Sequence, residues 1–131
     1  MYLILFKAHS GFRWLLVLLA VVTIAKLLAV WLQKGRVEKF DSILISSLTG
    51  LIDLQILLGL ILLFWDASVS GSFAIFRIEH AVTMIIAAAL AHLPVKWKKV
   101  DGPERAKKTA FALLGAFALI AVGVTRLPQG W

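Results

Sequence analysis

Four runs of mostly apolar residues constrain this chain more than any other feature of its sequence. They cover residues 11–32, 43–65, 78–95 and 109–124. A helix needs roughly 20 apolar residues to cross a bilayer, and a backbone surrounded by lipid must satisfy its own hydrogen bonds. A membrane β-barrel would instead need alternating apolar and polar residues, which these runs lack. The sequence therefore predicts four transmembrane helices.

The composition and the connections agree with one membrane domain over residues 1–131. The chain is 61% hydrophobic, whereas soluble domains are nearer 45–50% apolar. The connections between the runs are short, which favours an all-α, up-down-up-down bundle of sequential neighbours. The chain has no cysteine, so disulfides, thiolate metal sites and thiol catalysis are excluded.

The basic residues predict the orientation of this bundle. The first and third connections and their flanks hold nine of them: Lys34, Arg36, Lys39, Lys96, Lys98, Lys99, Arg105, Lys107 and Lys108. The opposite side holds four: Lys7, Arg13, Arg77 and Arg126. Cytoplasmic loops carry the excess of Lys and Arg, so both termini are expected outside. The net charge of +7 thus reflects membrane topology, and no nucleic-acid partner is expected. The five tryptophans fall near predicted helix ends, as in interfacial aromatic belts.

His9 and His80 are the most suggestive polar pair. Both are expected near the outer surface, on the first and third helices, which can be diagonal partners in such a bundle. Two neutral imidazoles at one depth can ligate a haem iron axially. Arg13 and Arg77 lie beside them in sequence and could pair with haem propionates, while Gly11 could give the porphyrin room. The alternative is a pair of interfacial histidines that bond to neighbours or headgroups.

The polar residues His92, Asp53 and Lys26 also have alternative interpretations. His92 lacks a second histidine at its depth, so an inner-interface residue is favoured over a ligand. Asp53 and Lys26 lie at depths about 5 Å apart at 1.5 Å per residue, which predicts an ion pair. A proton- or quinone-binding carboxylate, with Gln55 nearby, is the alternative. Each ionisable group is costly in hydrocarbon.

Glu79 stands beside the third-helix histidine. It is expected to orient an imidazole or to form a surface salt bridge with Arg13 or Arg77. No phosphate-binding loop, dinucleotide glycine fingerprint or H-E-x-x-H motif is present, so hydrolytic and nucleotide-dependent enzymes are disfavoured.

Four motifs together resemble a family of small four-helix bacterial membrane proteins that are labelled cytochrome b-like. They are His9-Ser-Gly-Phe-Arg-Trp14, Asp53-Leu-Gln-Ile-Leu-Leu-Gly59, Ile78-Glu-His80 and Pro128-Gln-Gly-Trp131. The resemblance implies b-type haem with His9 and His80 as ligands, and a location in the bacterial inner membrane. An ordinary dihaem cytochrome b has two histidine pairs, whereas one haem at most fits here.

Two functions are expected from these features. The leading one is a haem-b subunit in electron transfer, linked to quinone, with lipid and other membrane subunits as its partners. The alternative is a non-catalytic accessory subunit of a respiratory or photosynthetic complex. A small transporter centred on Asp53 is disfavoured, because four helices without a repeat make a poor alternating-access machine.

Overall fold

The computed structural model describes every residue from Met1 to Trp131 and is all-helical. Its elements are α1 (Tyr2–Leu32), α2 (Lys39–Ser70), α3 (Ile75–His92), a 3-10 helix (Leu93–Trp97) and α4 (Pro103–Thr125). With the 3-10 turn counted as an extension of α3, all four long helices are long and apolar enough to cross a membrane. The predicted all-α architecture with four long helices is confirmed.

The observed α1 begins nine residues earlier than predicted, because the polar residues near its start do not interrupt the backbone. The hydroxyl of Ser10 donates to the carbonyl of Phe6 at 2.8 Å, so this side chain is satisfied inside the helix. At 31 residues, α1 is about 46 Å long at 1.5 Å per residue. Trp14 therefore lies well inside α1. The prediction that it lies near a helix end is wrong.

The observed α2 is also longer than predicted, because both of its ends are capped. At its start, the backbone N–H of Glu38 donates to Asp41 Oδ2 at 2.9 Å in a capping box. At its end, Gly71 adopts a left-handed conformation with φ 75°, and its N–H donates to the Ala67 carbonyl at 2.8 Å. Glycine tolerates that backbone conformation without steric cost.

The four helices form a closed ring in which each packs against two neighbours. The contacting pairs are α1–α2, α2–α3, α3–α4 and α1–α4, so α1 and α3 are diagonal partners as expected. Tyr2 meets Asp66 at one end of the α1–α2 pair, and Lys26 meets Asp41 at the other. We call the end with both termini and residues 71–74 the terminal end. The end with residues 33–38 and 98–102 is the loop end.

The core is narrow and the outer surface is apolar. Only 21 of 131 residues are buried. Small residues of α4, including Ala106, Ala110 and Ala116, let that helix approach its neighbours closely. Long apolar side chains point outward instead, for example Leu18 with 61% of its surface exposed. A surface of this kind suits lipid or other membrane helices and not water.

Candidate cofactor site

A cavity of about 270 Å³ opens at the terminal end between all four helices and the C-terminal tail. Its wall is mostly apolar. The polar side chains on that wall include His9, Arg13, Gln55, Asp66, Arg77 and His80. Ligand sites commonly combine an apolar wall with a few convergent polar groups, in volumes of about 300–1,000 Å³. The cavity lies near the lower limit of that range, and its side is open to the surface.

His9 is positioned by a close contact between α1 and α2. A Cβ added at Gly59 would lie 3.2 Å from His9 Cε1, so the imidazole rests directly against the backbone of α2. The carbonyl of His9 accepts a hydrogen bond of 2.9 Å from Gln55 Nε2. His9 Nδ1 is buried and has no hydrogen-bond partner. The helix contact therefore holds an imidazole with an unpaired nitrogen at the cavity wall.

His80 is fixed by the contact between α3 and α4. Its Nδ1 lies 3.0 Å from the carbonyl oxygen of Gly123. Because a carbonyl can only accept, Nδ1 carries the proton and the lone pair resides on Nε2. A backbone carbonyl that holds one ring nitrogen is the usual support of a ligating histidine. This arrangement leaves Nε2 of His80 able to coordinate a metal.

The contact that supports His80 depends on the absence of a side chain at Gly123. A Cβ added there would collide with Met84 Cε and would lie 3.1 Å from Thr83 Cγ2. The two helices therefore approach more closely than an alanine at this position would allow. That approach brings the Gly123 carbonyl within reach of the imidazole.

Arg13 links α1 to the C-terminal tail. Its Nη1 donates to the Gly130 carbonyl at 3.3 Å. Its guanidinium carbon lies 5.4 Å from the ring centroids of both Trp14 and Trp131, within the range of a cation–π interaction. Arg13 Nε is buried and has no partner. The tail thus folds back over α1 and forms part of the cavity wall.

Arg77 lines the same cavity but already has an anionic partner. It forms an ion pair with Asp66, and Asp66 Oδ2 also accepts a hydrogen bond of 3.3 Å from the Tyr2 hydroxyl. A propionate at this position would have to share Arg77 with Asp66. Of the two predicted arginines, Arg13 has the more available donor.

Glu79 lies apart from this cluster, and the predicted contacts of its side chain are wrong. Its carboxylate is exposed, forms no ion pair with Arg13 or Arg77 and does not contact the ring nitrogens of His80. Consecutive residues of a helix point about 100° apart, so a neighbour in sequence does not share a face. Gly11 is likewise exposed outside the cavity, with no atom near its missing Cβ. The glycine against the His9 ring is Gly59.

The predicted ion pair between Lys26 and Asp53 does not form. Lys26 Nζ lies 3.5 Å from Asp41 Oδ1, and Asp53 Oδ1 lies 2.8 Å from His92 Nε2. The reason is the early start of α2 at Lys39, which puts Asp53 and Lys26 about 12 Å apart in depth at 1.5 Å per residue. Lys26, Asp53 and His92 are on the surface of the bundle, with 46%, 54% and 44% of their side chains exposed.

The residues at the cavity fit the haem that the resemblance implies. Two imidazoles from diagonal helices line one apolar cavity, one with a buried unpaired nitrogen and one held by a backbone carbonyl. Arg13 supplies a cation with an unpaired donor beside them. Neutral imidazole is a common axial ligand of haem iron. The donor set and its support therefore suit axial ligation.

No protein family, curated protein or solved structure matches this chain.

Proposed function

We propose that the chain is a multi-pass membrane protein that holds one b-type haem between His9 and His80 and acts as an electron-transfer subunit. The observation that carries this proposal is convergence at one cavity. Residues of all four motifs, which lie far apart in the sequence, line it together: His9, Arg13, Gln55, Gly59, His80, Gly130 and Trp131. Packing alone does not require that histidines from two diagonal helices face the same space.

Each residue has a defined task in this proposal. Haem supplies one-electron chemistry when bound, and the protein supplies ligands, dielectric and charge. His9 and His80 would hold the haem iron through their ring nitrogens. The Gly123 carbonyl keeps the proton of His80 on Nδ1, and the mostly apolar wall would give the haem surroundings of low polarity. Arg13 offers a positive charge to the propionate edge.

The proposed orientation puts the termini and the haem site at the outer face of a bacterial inner membrane. The bias of basic residues towards the loop end supports this sidedness. A quinone is the second candidate ligand at the same cavity. The buried Gln55 Oε1 has no hydrogen-bond partner and would accept a hydrogen bond from a hydroxyl of a reduced quinone.

The haem proposal is tested by the reduced-minus-oxidised absorption spectrum of protein purified in mild detergent from cells supplied with a haem precursor. We expect reduced b-type bands in the wild type and their loss in His9→Ala and in His80→Ala. His92→Ala is the matched control and keeps the bands, because His92 lies outside the cavity and bonds to Asp53. A wild type without haem, also after incubation with excess haemin, would overturn the proposal.

An accessory subunit is the second candidate function, and the surface around Asp53 favours it. The Asp53–His92 pair is exposed about 21 Å along α2, counted from Lys39 at 1.5 Å per residue. Ionisable groups at such depth rarely face lipid. Gly50, one turn before Asp53, also has open space at its missing Cβ. If the chain is an accessory subunit, we expect the wild-type protein to lack haem and to co-purify with other membrane subunits in stoichiometric amounts.

A further inference from the structure

A second cavity, at the loop end, has a different chemical character. This crevice has a volume of about 330 Å³ and lies between α2, the end of α3 with its 3-10 extension, and the start of α4. Most of the residues on its wall have polar side chains. The side chains that matter for binding are Ser42, Ser46, Thr49, Lys98, Arg105 and Thr109. On α2 the two cavities come within one helical turn of each other, because Thr49 lines this crevice and Ile52 lines the first cavity.

Thr109 gives the strongest indication that the crevice holds a ligand. The residue is 1% exposed, and its hydroxyl has no hydrogen-bond partner. The hydroxyls of the other four threonines all donate to a carbonyl three or four residues earlier, at 2.6–3.1 Å. A buried hydroxyl without a partner destabilises the folded state. The Thr109 hydroxyl at the crevice wall therefore donates to no group of the chain, whereas the other helical threonines each donate to a backbone carbonyl.

The charges of the crevice indicate that the ligand is an anion. Lys98 and Arg105 lie on its wall, and no carboxylate does. Asp101 and Glu104 are the carboxylates nearest to these cations in sequence, but neither lies on the crevice wall or forms an ion pair with Lys98 or Arg105. Asp53, beside the wall, bonds to His92, and Asp41 pairs with Lys26. Arg105 is half-buried, Lys98 is exposed, and neither forms an ion pair within the chain, so both charges are available to attract an anion.

We propose that this crevice binds a phosphate group, namely that of an anionic phospholipid headgroup at the membrane surface. Phosphate oxygens accept hydrogen bonds from hydroxyls and pair well with a guanidinium. Basic pockets between transmembrane helices at the cytoplasmic side bind such headgroups. This inference rests on the proposed membrane insertion and not on haem. Free inorganic phosphate has the same chemistry and is the other source of the ligand.

The test is the thermal unfolding of the detergent-purified full chain with three additives: short-chain phosphatidylglycerol, short-chain phosphatidylcholine and inorganic phosphate. We expect phosphatidylglycerol to raise the midpoint temperature of unfolding, whereas phosphatidylcholine and inorganic phosphate should have little effect on it. Arg105→Gln should weaken that binding roughly tenfold or more, as for a lost charged hydrogen bond. Lys108→Gln is the matched control, because Lys108 is exposed and lies outside the crevice.

Thr109→Val separates binding from folding. The hydroxyl has no partner in the protein, so the lipid-free variant should unfold at or above the wild-type temperature while its response to phosphatidylglycerol falls. An equal response to inorganic phosphate would keep the phosphate site and make free phosphate its ligand. An equal response to phosphatidylcholine, or an unchanged response in Arg105→Gln, would overturn the proposal. The reduced haem bands should persist in Arg105→Gln, so failure here is distinguishable from failure of the haem proposal.

Discussion

The close approach of α3 and α4 at Gly123 predicts an unusual effect of a single methyl group. Gly123→Ala would put a Cβ against Met84 Cε and 3.1 Å from Thr83 Cγ2. The methionine terminus can move, but a β-branched threonine on a helix has one or two allowed rotamers. The helices must therefore separate slightly, which also stretches the hydrogen bond of 3.0 Å between His80 and the Gly123 carbonyl.

The expected change in the free energy of unfolding combines two destabilising effects with one stabilising effect. Overpacking of a tight contact costs about 1–3 kcal/mol, and a weakened hydrogen bond costs up to about 1 kcal/mol. Replacement of glycine by alanine inside a helix gains about 1 kcal/mol. Gly115→Ala on the same helix has that gain without the costs, because its Cβ would meet only Leu90 Cδ1 at 3.8 Å. Gly123→Ala should thus be less stable than Gly115→Ala by about 1–4 kcal/mol.

The assay is unfolding of both variants in the same detergent, followed by the far-ultraviolet circular dichroism of the helices. The stability of the wild type should lie between those of the two variants. Gly115→Ala should be more stable than wild type, and Gly123→Ala should be less stable. The comparison within one helix removes general effects of detergent and of helix propensity. If Gly123→Ala were as stable as Gly115→Ala, the close α3–α4 contact and its role in holding His80 would be refuted.

Two further predictions concern orientation and the start of α2. Reporter fusions after Lys99 should report the cytoplasm and fusions after Trp131 the outside, and the reverse pattern would invert the proposed sidedness. Asp41→Ala should destabilise the protein more than Lys26→Ala, because the 2% exposed carboxylate both pairs with Lys26 and accepts the Glu38 N–H at the capping box. Loss of such a cap alone costs about 0.5–2 kcal/mol. Equal unfolding midpoints of these two variants would show that the cap contributes nothing.

The number and order of the helices were predictable from the sequence because both follow from the length of the apolar runs and the shortness of the connections. The helix ends were less predictable. Polar residues such as Ser10 look like a boundary in a hydropathy pattern, but a hydroxyl that bonds one turn back continues the helix. The error of four residues at the start of α2 was enough to assign the wrong partner to Lys26. Ion pairs depend on helix register, which apolar runs define only loosely.

The candidate site was partly predictable. The sequence predicts His9 and His80 as site residues from their depth and their helices, and both line the cavity. The supporting contacts at Gly59 and Gly123 were not predicted, because they depend on the distance between helix backbones. One signal was available for α2: Gln55 and Gly59 are four residues apart and share a helix face. The closure of the tail over Arg13 has no counterpart in any local sequence pattern.

The central claim is that one iron is held by two imidazoles of this chain. The most direct measurement is the low-temperature electron paramagnetic resonance spectrum of the oxidised, purified protein, together with its haem content per chain. We expect about one haem per chain and a low-spin ferric signal, as two histidine ligands give, and loss of that signal in His80→Ala. A high-spin signal in the wild type, or a low-spin signal that survives in both His9→Ala and His80→Ala, would contradict it.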